Sequence, residues 1–397
     1  MKNIYTKNTI LLFLLYLLTA SCVEPYQLQT NTFEEALVIE ATITNELKKQ
    51  EIKISRTYRL EEEGPTFEAG AQVYVTDSDG NQYDFEQAGS VYRSISEFTA
   101  IPGKDYQLNI TTTDGKSYRS NKETLTTENQ IESLMAAVAV TDDGQRGVEI
   151  TVNSNDPSNM SKYYRYTYEE TYKIIAPKWV TTDLYYDMIS DSFFQTLRPT
   201  DTRICYSTGY SNEIILASTN GQTEDRVTNF PVRFISTENY IISHRYSILV
   251  KQYIQSLASY TFYKTLKELS SSESLLSQTQ PGFFYGNLKS TDNPNEKVIG
   301  FFDVSSVSQK RIFFNYADLF PGEPLPPYFN DCDILSFDTS VEGTFPGNSP
   351  KDKLIQYIEL DKVRYYSTAF PTYNMVIPEC GDCTSFSSNI VPPFWTN

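Results

Sequence analysis

The side chains with the most chemistry to offer are five cysteines and a single histidine. Cys22 follows Leu18-Thr19-Ala20-Ser21 and an unbroken apolar run at residues 10–18, itself preceded by Lys2 and Lys7. A helix that crosses a bilayer takes about 20 residues, so this run of nine reads as the core of a cleaved export signal. Ala20 and Ser21 are small enough to admit a signal peptidase, which would leave Cys22 as the first residue and the site of lipidation. An export signal places Cys205, Cys332, Cys380 and Cys383 in an oxidising compartment, where four thiols form disulfides in one of three pairings. Cys380-Gly381-Asp382-Cys383 also has redox spacing, but that motif belongs at the strand-to-helix junction of a thioredoxin-like unit. A four-cysteine zinc site is a third reading, and it lacks a second close pair. Disulfides are the expectation, with each C-terminal cysteine bridging to a distant partner and pinning the tail to the body.

Catalysis has less to work with. His244 lies between Ser243 and Arg245, with no neighbouring carboxylate to orient it as a base. Two carboxylates suffice for a glycosidase, yet among 50 acidic residues nothing marks one pair. There is no glycine-rich phosphate loop and no spaced histidine and acid cluster for a metal. Asp77-Ser78-Asp79-Gly80-Asn81 suggests calcium, but the glycine and glutamate that an EF-hand places sixth and twelfth would be Gln82 and Ala88. The expectation is therefore a non-enzyme without catalytic residues, cofactor or metal.

The net charge of −17 falls to −19 without Lys2 and Lys7, and such a surface repels nucleic acid and anionic headgroups. Attachment to a membrane would come through acyl chains on Cys22, at about 0.8 kcal/mol for each buried methylene. The 40% apolar and 14% aromatic content is enough for a folded core, and the 376 residues beyond Ser21 suggest two domains.

The elements that must position these residues are mostly strands. Residues 1–21 form the signal and 22–33 an unpatterned tether. Short alternating runs at 38–44, 51–57, 71–76, 82–85, 91–94, 105–111 and 117–120 make 34–125 an immunoglobulin-like β-sandwich. Asp79-Gly80 and Asp114-Gly115 supply its tight turns. Residues 126–397 read as a larger β-rich domain with one amphipathic helix inserted near 257–270 and a disulfide-pinned tail. Phe262, Leu266 and Leu269 set the helical period, with Ser256 or Ser259 as N-cap. The proline-rich stretch 321–327 should be an exposed loop, and 353–366 the last strands. Tyr164, Tyr166 and Tyr168 alternate with polar residues, either as a platform on which sugars stack or as a half-buried strand with satisfied hydroxyls.

Several motifs occur together in order: Cys22-Val23-Glu24-Pro25-Tyr26, Leu37-Val38-Ile39-Glu40-Ala41, Ile54-Ser55-Arg56-Thr57-Tyr58 and Thr76-Asp77-Ser78-Asp79-Gly80. Val298-Ile299-Gly300-Phe301-Phe302 with Val304-Ser305-Ser306, Cys380-Gly381-Asp382-Cys383 and Pro393-Phe394-Trp395 complete the set. In these the chain resembles an uncharacterised family of outer-membrane lipoproteins, a domain of unknown function of Bacteroidetes-type bacteria typically encoded beside a TonB-dependent receptor. The resemblance implies a lipid-anchored outer-membrane protein, at the cell surface in preference to the periplasmic face. It further implies an accessory partner of such a receptor in nutrient capture or uptake, by analogy with the lids of nutrient importers. An independent surface lipoprotein that binds a small molecule, peptide, glycan or protein is the alternative, and a two-carboxylate hydrolase stands third.

Overall fold

A computed structural model describes residues 36–58, 62, 64–271 and 285–396. The signal, Cys22 and the tether lie outside the described residues. The protein is mainly β, as expected.

All seven strands expected in the first region form, at Leu37–Thr44, Glu51–Arg56, Gln72–Asp77, Gln82–Ala88, Val91–Ser94, Asp105–Thr111 and Ser117–Ser120. Alternation is the cause: Leu37, Ile39, Ala41 and Ile43 are buried while Val38, Glu40 and Thr42 between them keep some exposure. Gly80, at φ 86°, takes the left-handed conformation that the first hairpin turn needs. The buried Asp77 carboxylate closes that turn, accepting the N–H groups of Asp79 (3.0 Å) and Asn81 (2.9 Å), the Asn81 side chain (2.8 Å) and Lys104 Nζ (3.1 Å). Its oxygens are thus occupied by protein donors. Burial pushes the Asp77 carboxyl upward, but the bonds from Asn81, Lys104 and Tyr83 outweigh it and hold the group well below its usual range.

These strands pair as one continuous path within an 11-stranded sheet around a single core that includes Ile39, Ile54, Val75, Tyr92 and Leu108. That path does not single out an immunoglobulin topology. Two of its strands come from far along the chain. Leu288–Ser290 pairs antiparallel with Ser117–Ser120, and Val298–Ser305 runs parallel to Leu37–Thr44 from Leu37↔Val298 to Thr44↔Ser305. Parallel neighbours need a long crossover, and here it runs through residues 45–297, which hold the rest of this first body and all but one strand of the second body, the pair of facing sheets. The sheet therefore does not end where the sequence signals a boundary near residue 125. Gly300, at φ 148°, lies against Ile39, where a Cβ would overlap the backbone carbonyl of that residue.

Beyond residue 130 two sheets face each other. Ile131–Val140, Arg146–Asn155 and Arg226–Ser236 make one; Tyr163–Ile175, Ile204–Tyr210, Ile215–Ser218, Arg245–Ile254 and Val307–Asn315 make the other. Val148, Ile150 and Val152 from the first pack in one core with Tyr166, Ile248 and Val250 from the second. The inserted helix spans Leu257–Ser271, and Ser256 Oγ accepts the Ser259 N–H at 3.1 Å to cap it. Phe262 packs on Phe301 of the first sheet, with ring centroids 5.6 Å apart.

A third, smaller unit combines the hairpin Thr182–Asp187 and Ser192–Leu197 with the strands Leu335–Asp338, Arg364–Ala369 and Thr372–Val376, around Leu184, Phe337, Leu354 and Met375. Here the strand expectation for 353–366 is corrected: Pro350–Glu359 is a helix, and a strand begins only at Arg364. The physical reason is a capping box. Ser349 Oγ accepts the Asp352 N–H at 3.0 Å, the Asp352 carboxylate accepts the Ser349 N–H at 3.0 Å, and Pro350 presets the first helical φ. Leu354, Tyr357 and Ile358 then fall on one face against the core.

Two consequences follow for stability. Gly300→Ala should cost more than about 2 kcal/mol through strained φ and backbone overlap, read as a lowered midpoint in denaturant titration. Asp77→Ala should cost about 1–3 kcal/mol at neutral pH by leaving the turn's donors without their acceptor. Because the folded-state pKa lies below the ordinary 3.8, this stabilisation is complete above that value and is lost as pH falls through the acid range. Melting curves from pH 7 to pH 2 should show the gap between wild type and variant narrowing on the acid side.

Candidate functional site

The tyrosine ladder is not an exposed platform. Tyr164 and Tyr166 are fully buried and Tyr168 nearly so, because the three-stranded sheet covers their face of Tyr163–Ile175. Tyr164 Oη donates to Ser161 O and shares a hydrogen bond with Asp225 Oδ1, both at 2.7 Å. Tyr166 Oη donates to Gln252 Oε1 at 3.1 Å, and its ring stacks on Phe230 at 5.4 Å. The Arg233 guanidinium lies 5.6 Å from the Tyr168 ring centroid while forking onto Glu170 at 3.1 Å. The Tyr164 and Tyr166 hydroxyls are satisfied and all three rings belong to the core, so this strand is a covered one rather than an exposed stacking platform.

The cysteines pair as Cys205–Cys383 and Cys332–Cys380, with Cα separations of 5.8 and 5.7 Å. Each member of the C-terminal pair reaches a distant partner, as expected from the need to pin the tail. The tail itself continues the staple. Tyr206 N–H donates to Ser388 O at 2.8 Å, Trp395 packs between Tyr206 (4.9 Å) and Phe313 (5.8 Å), and Arg311 lies 3.6 Å over the Phe394 ring. The Pro393-Phe394-Trp395 motif thus docks on the five-stranded sheet through stacking and cation–π contacts.

The pinned segments build one wall of a groove. Asn239 Oδ1 accepts the Ile241 N–H at 3.2 Å and caps the short 3-10 turn Tyr240–Ile242, which presents Tyr240 beside the end of Tyr163–Ile175. Tyr240 meets Tyr172 edge-on at 5.7 Å and Tyr328 at 6.1 Å, and Tyr328 Oη donates to Glu379 O at 2.9 Å, next to Cys380. Lys173, Ile175, His244, Leu325 and Pro326 complete a cavity of 230 Å³. It continues into a depression of 390 Å³ that shares Lys173, Ile175, Ser243, His244 and Leu325 and adds Arg245 and Asn315. Burial, with the nearby Lys173 charge, pushes the His244 imidazole below its usual pKa, so it is neutral at pH 7 and able to accept a hydrogen bond. Burial likewise pushes the Tyr240 and Tyr328 hydroxyls up, keeping both as neutral donors. Aromatic walls, a neutral imidazole and a lysine suit a small ligand with an apolar body and an acidic or hydroxylated head.

Sequence reading picked out His244 and the proline-rich loop separately. It missed Lys173, Tyr240 and Tyr328, which come together from a sheet strand, a 3-10 turn and a loop held beside Cys380 rather than through any local pattern. Among the described residues no group of three histidine, cysteine or acidic side chains is placed to hold a metal. A larger hollow lies beside Phe262 and Phe301, lined also by Leu257, Thr265 and Tyr285.

Reduction tests the staples. Opening Cys205–Cys383 and Cys332–Cys380 should free the tail, so limited proteolysis of reduced protein should cut near Ser385 several-fold faster than that of oxidised protein. Equal cleavage would show that the tail is held by its packing alone.

A search of curated proteins finds no match to the chain. A family model for a domain of unknown function, DUF4249, matches residues 23–311, which takes in the first sheet, the segment that joins it to the facing sheets and all of those sheets but the end of Val307–Asn315. By that match, covering well over half of its length, the chain belongs to the DUF4249 family.

Proposed function

We propose that the protein is a non-enzymatic outer-membrane lipoprotein, anchored through Cys22 at the cell surface, that serves a TonB-dependent receptor as an accessory subunit in nutrient capture or uptake. The observation that carries this reading is the cysteine division of labour. Cys22 follows an export signal with small residues at its end, and the other four cysteines are all consumed in two disulfides, as suits an oxidising compartment. No helix among the described residues is long and apolar enough to cross a membrane. The ordered motifs shared with lipoproteins encoded beside such receptors support the partner.

The groove favours a second reading, an independent surface binder of a small molecule, peptide or glycan. In that case the contacts would come from Tyr240, Tyr328 and His244 rather than from the buried tyrosine ladder.

A mild-detergent pull-down of natively expressed, C-terminally tagged protein, with mass spectrometry of bait and prey, separates the two. The expected result is a stoichiometric TonB-dependent receptor and a bait that begins at acylated Cys22. Acylated bait without a receptor would overturn the accessory role and favour the independent binder.

A further inference from the structure

The third unit ends in three adjacent loop tips that carry large apolar side chains in the open. Met188 and Ile189 cap the hairpin Thr182–Asp187/Ser192–Leu197 and are 78% and 97% exposed. Phe370, 83% exposed, caps the hairpin Arg364–Ala369/Thr372–Val376, and Phe345, at 72%, lies on the loop that leads into the helix Pro350–Glu359. The tips are neighbours. Asp191 and Ser192 line one cleft with Thr339 and Phe370; Thr339 donates through its N–H and hydroxyl to Pro371 O at 3.1 and 2.9 Å; and Lys351 Nζ reaches Asp191 Oδ1 at 2.6 Å. They are also braced, since Phe193 sits between Tyr186 (5.2 Å) and Tyr373 (4.9 Å).

Isolated exposed apolar residues are ordinary, but several gathered on braced tips with a polar rim mark an interaction surface. The rim here is acidic. Asp187, Asp191, Asp338 and Glu342 surround the tips, and Lys351 is already bonded to Asp191. A second copy of a chain with net charge −17 would bring the same acids together, and anionic headgroups would be repelled for the same reason.

We propose that these loop tips form a docking surface for a partner protein whose contact site is an apolar depression rimmed by lysine or arginine. Identification of that partner as the receptor rests on the function proposed above; the surface itself does not. Met188, Ile189 and Phe370 fill the depression, and the surrounding carboxylates steer the approach and set its orientation. Because the tips are held in place beforehand, little ordering entropy opposes the contact.

The test uses full-length protein in native outer membranes, with a photo-crosslinking amino acid at Ile189 or at Phe370, and at Leu47, 70% exposed on the first body, as control. The expected result is one protein adduct common to both tips and absent from Leu47, with lysine- or arginine-rich contact peptides. Its yield should fall at least tenfold when the other tip carries Ile189→Asp or Phe370→Asp, in variants whose melting temperature matches wild type. Adducts with lipid or with a second copy, or no adduct, would overturn the proposal. A protein adduct that is not a TonB-dependent receptor would uphold the surface and remove the receptor reading. A receptor that co-purifies equally with wild type and with the doubly substituted protein, with no protein adduct at either tip, would uphold that reading and overturn the surface.

Discussion

One stretch of backbone holds the two larger bodies together. Val298–Ser305 is a strand of the first sheet and Val307–Asn315 a strand of the five-stranded sheet, with Ser306 as the joint between them. Ser306 N–H donates to Thr126 Oγ1 at 2.9 Å, Ser306 O accepts the Ile254 N–H at 3.0 Å, and the Val307 N–H donates to Asn45 Oδ1 at 2.8 Å. Thr126 Oγ1 in turn donates to Ile254 O at 2.9 Å. The joint therefore satisfies its own backbone groups with the segment leaving the first sheet, with the strand Arg245–Ile254 and with the loop after Leu37–Thr44. Buried backbone donors left unpaired are costly, so the crossing is stable only when all three neighbours are in register.

Beside this joint lies a buried charge network that sharpens the same constraint. The Arg165 guanidinium is held between the Tyr253 and Tyr263 rings, each centroid 4.5 Å away. Asp303, also buried, accepts from Gln255 Nε2 at 2.7 Å and from Ser305 Oγ. Burial pushes the Asp303 carboxyl above its usual range, against the opposing pull of Arg165, Ser305 and Gln255. For Arg165 the balance goes the other way: burial lowers its pKa, but Tyr263, Asp303 and Tyr253 raise it further. Charges away from water are tolerated only with such partners. Arg165 comes from the second body, Tyr263 from the inserted helix and Asp303 from the shared segment, so a slip of any one would strand a charge. The network acts as a key for the assembly of three elements more than as a source of stability.

This explains what the sequence could reveal. Alternation and Asp-Gly turns identified the seven longer strands from Leu37 to Ser120, missing only the two-residue strand Thr66–Phe67, and the apolar period identified the helix at Leu257, because the causes of those elements lie within a few residues of each other. The parallel pairing of Leu37–Thr44 with Val298–Ser305 has no such local cause. It depends on Gly300 permitting close approach to Ile39 and on a joint whose partners are scattered from Asn45 to Ile254. Period-two alternation in Tyr163–Ile175 correctly signalled a face of tyrosines, but alternation does not say which face is covered. The face of Tyr164 and Tyr166 is covered, while the opposite face, where Arg165 sits between the Tyr253 and Tyr263 rings, stays partly exposed. At 353–366 the apolar residues admitted either period, and Ser349-Pro350-Lys351-Asp352 was the local signal that would have decided for helix.

The C-terminal third shows how rigidity at one place permits exposure at another. The third unit has only a small core of its own, and a core of that size holds loop tips poorly. Cys205–Cys383 ties its end to the five-stranded sheet, Cys332–Cys380 joins the segment before its strands to the segment after them, Arg198 Nη1 donates to Gly381 O at 2.8 Å, and the final residues clamp onto Arg311 and Tyr206. Each tie removes freedom from the unfolded chain and from the folded unit's fluctuations. With its base fixed in this way, the unit can leave Ile189 and Phe370 in water without local collapse onto them. Exposed apolar tips on a mobile support would fold back on their own core; on a stapled one they stay available to another surface.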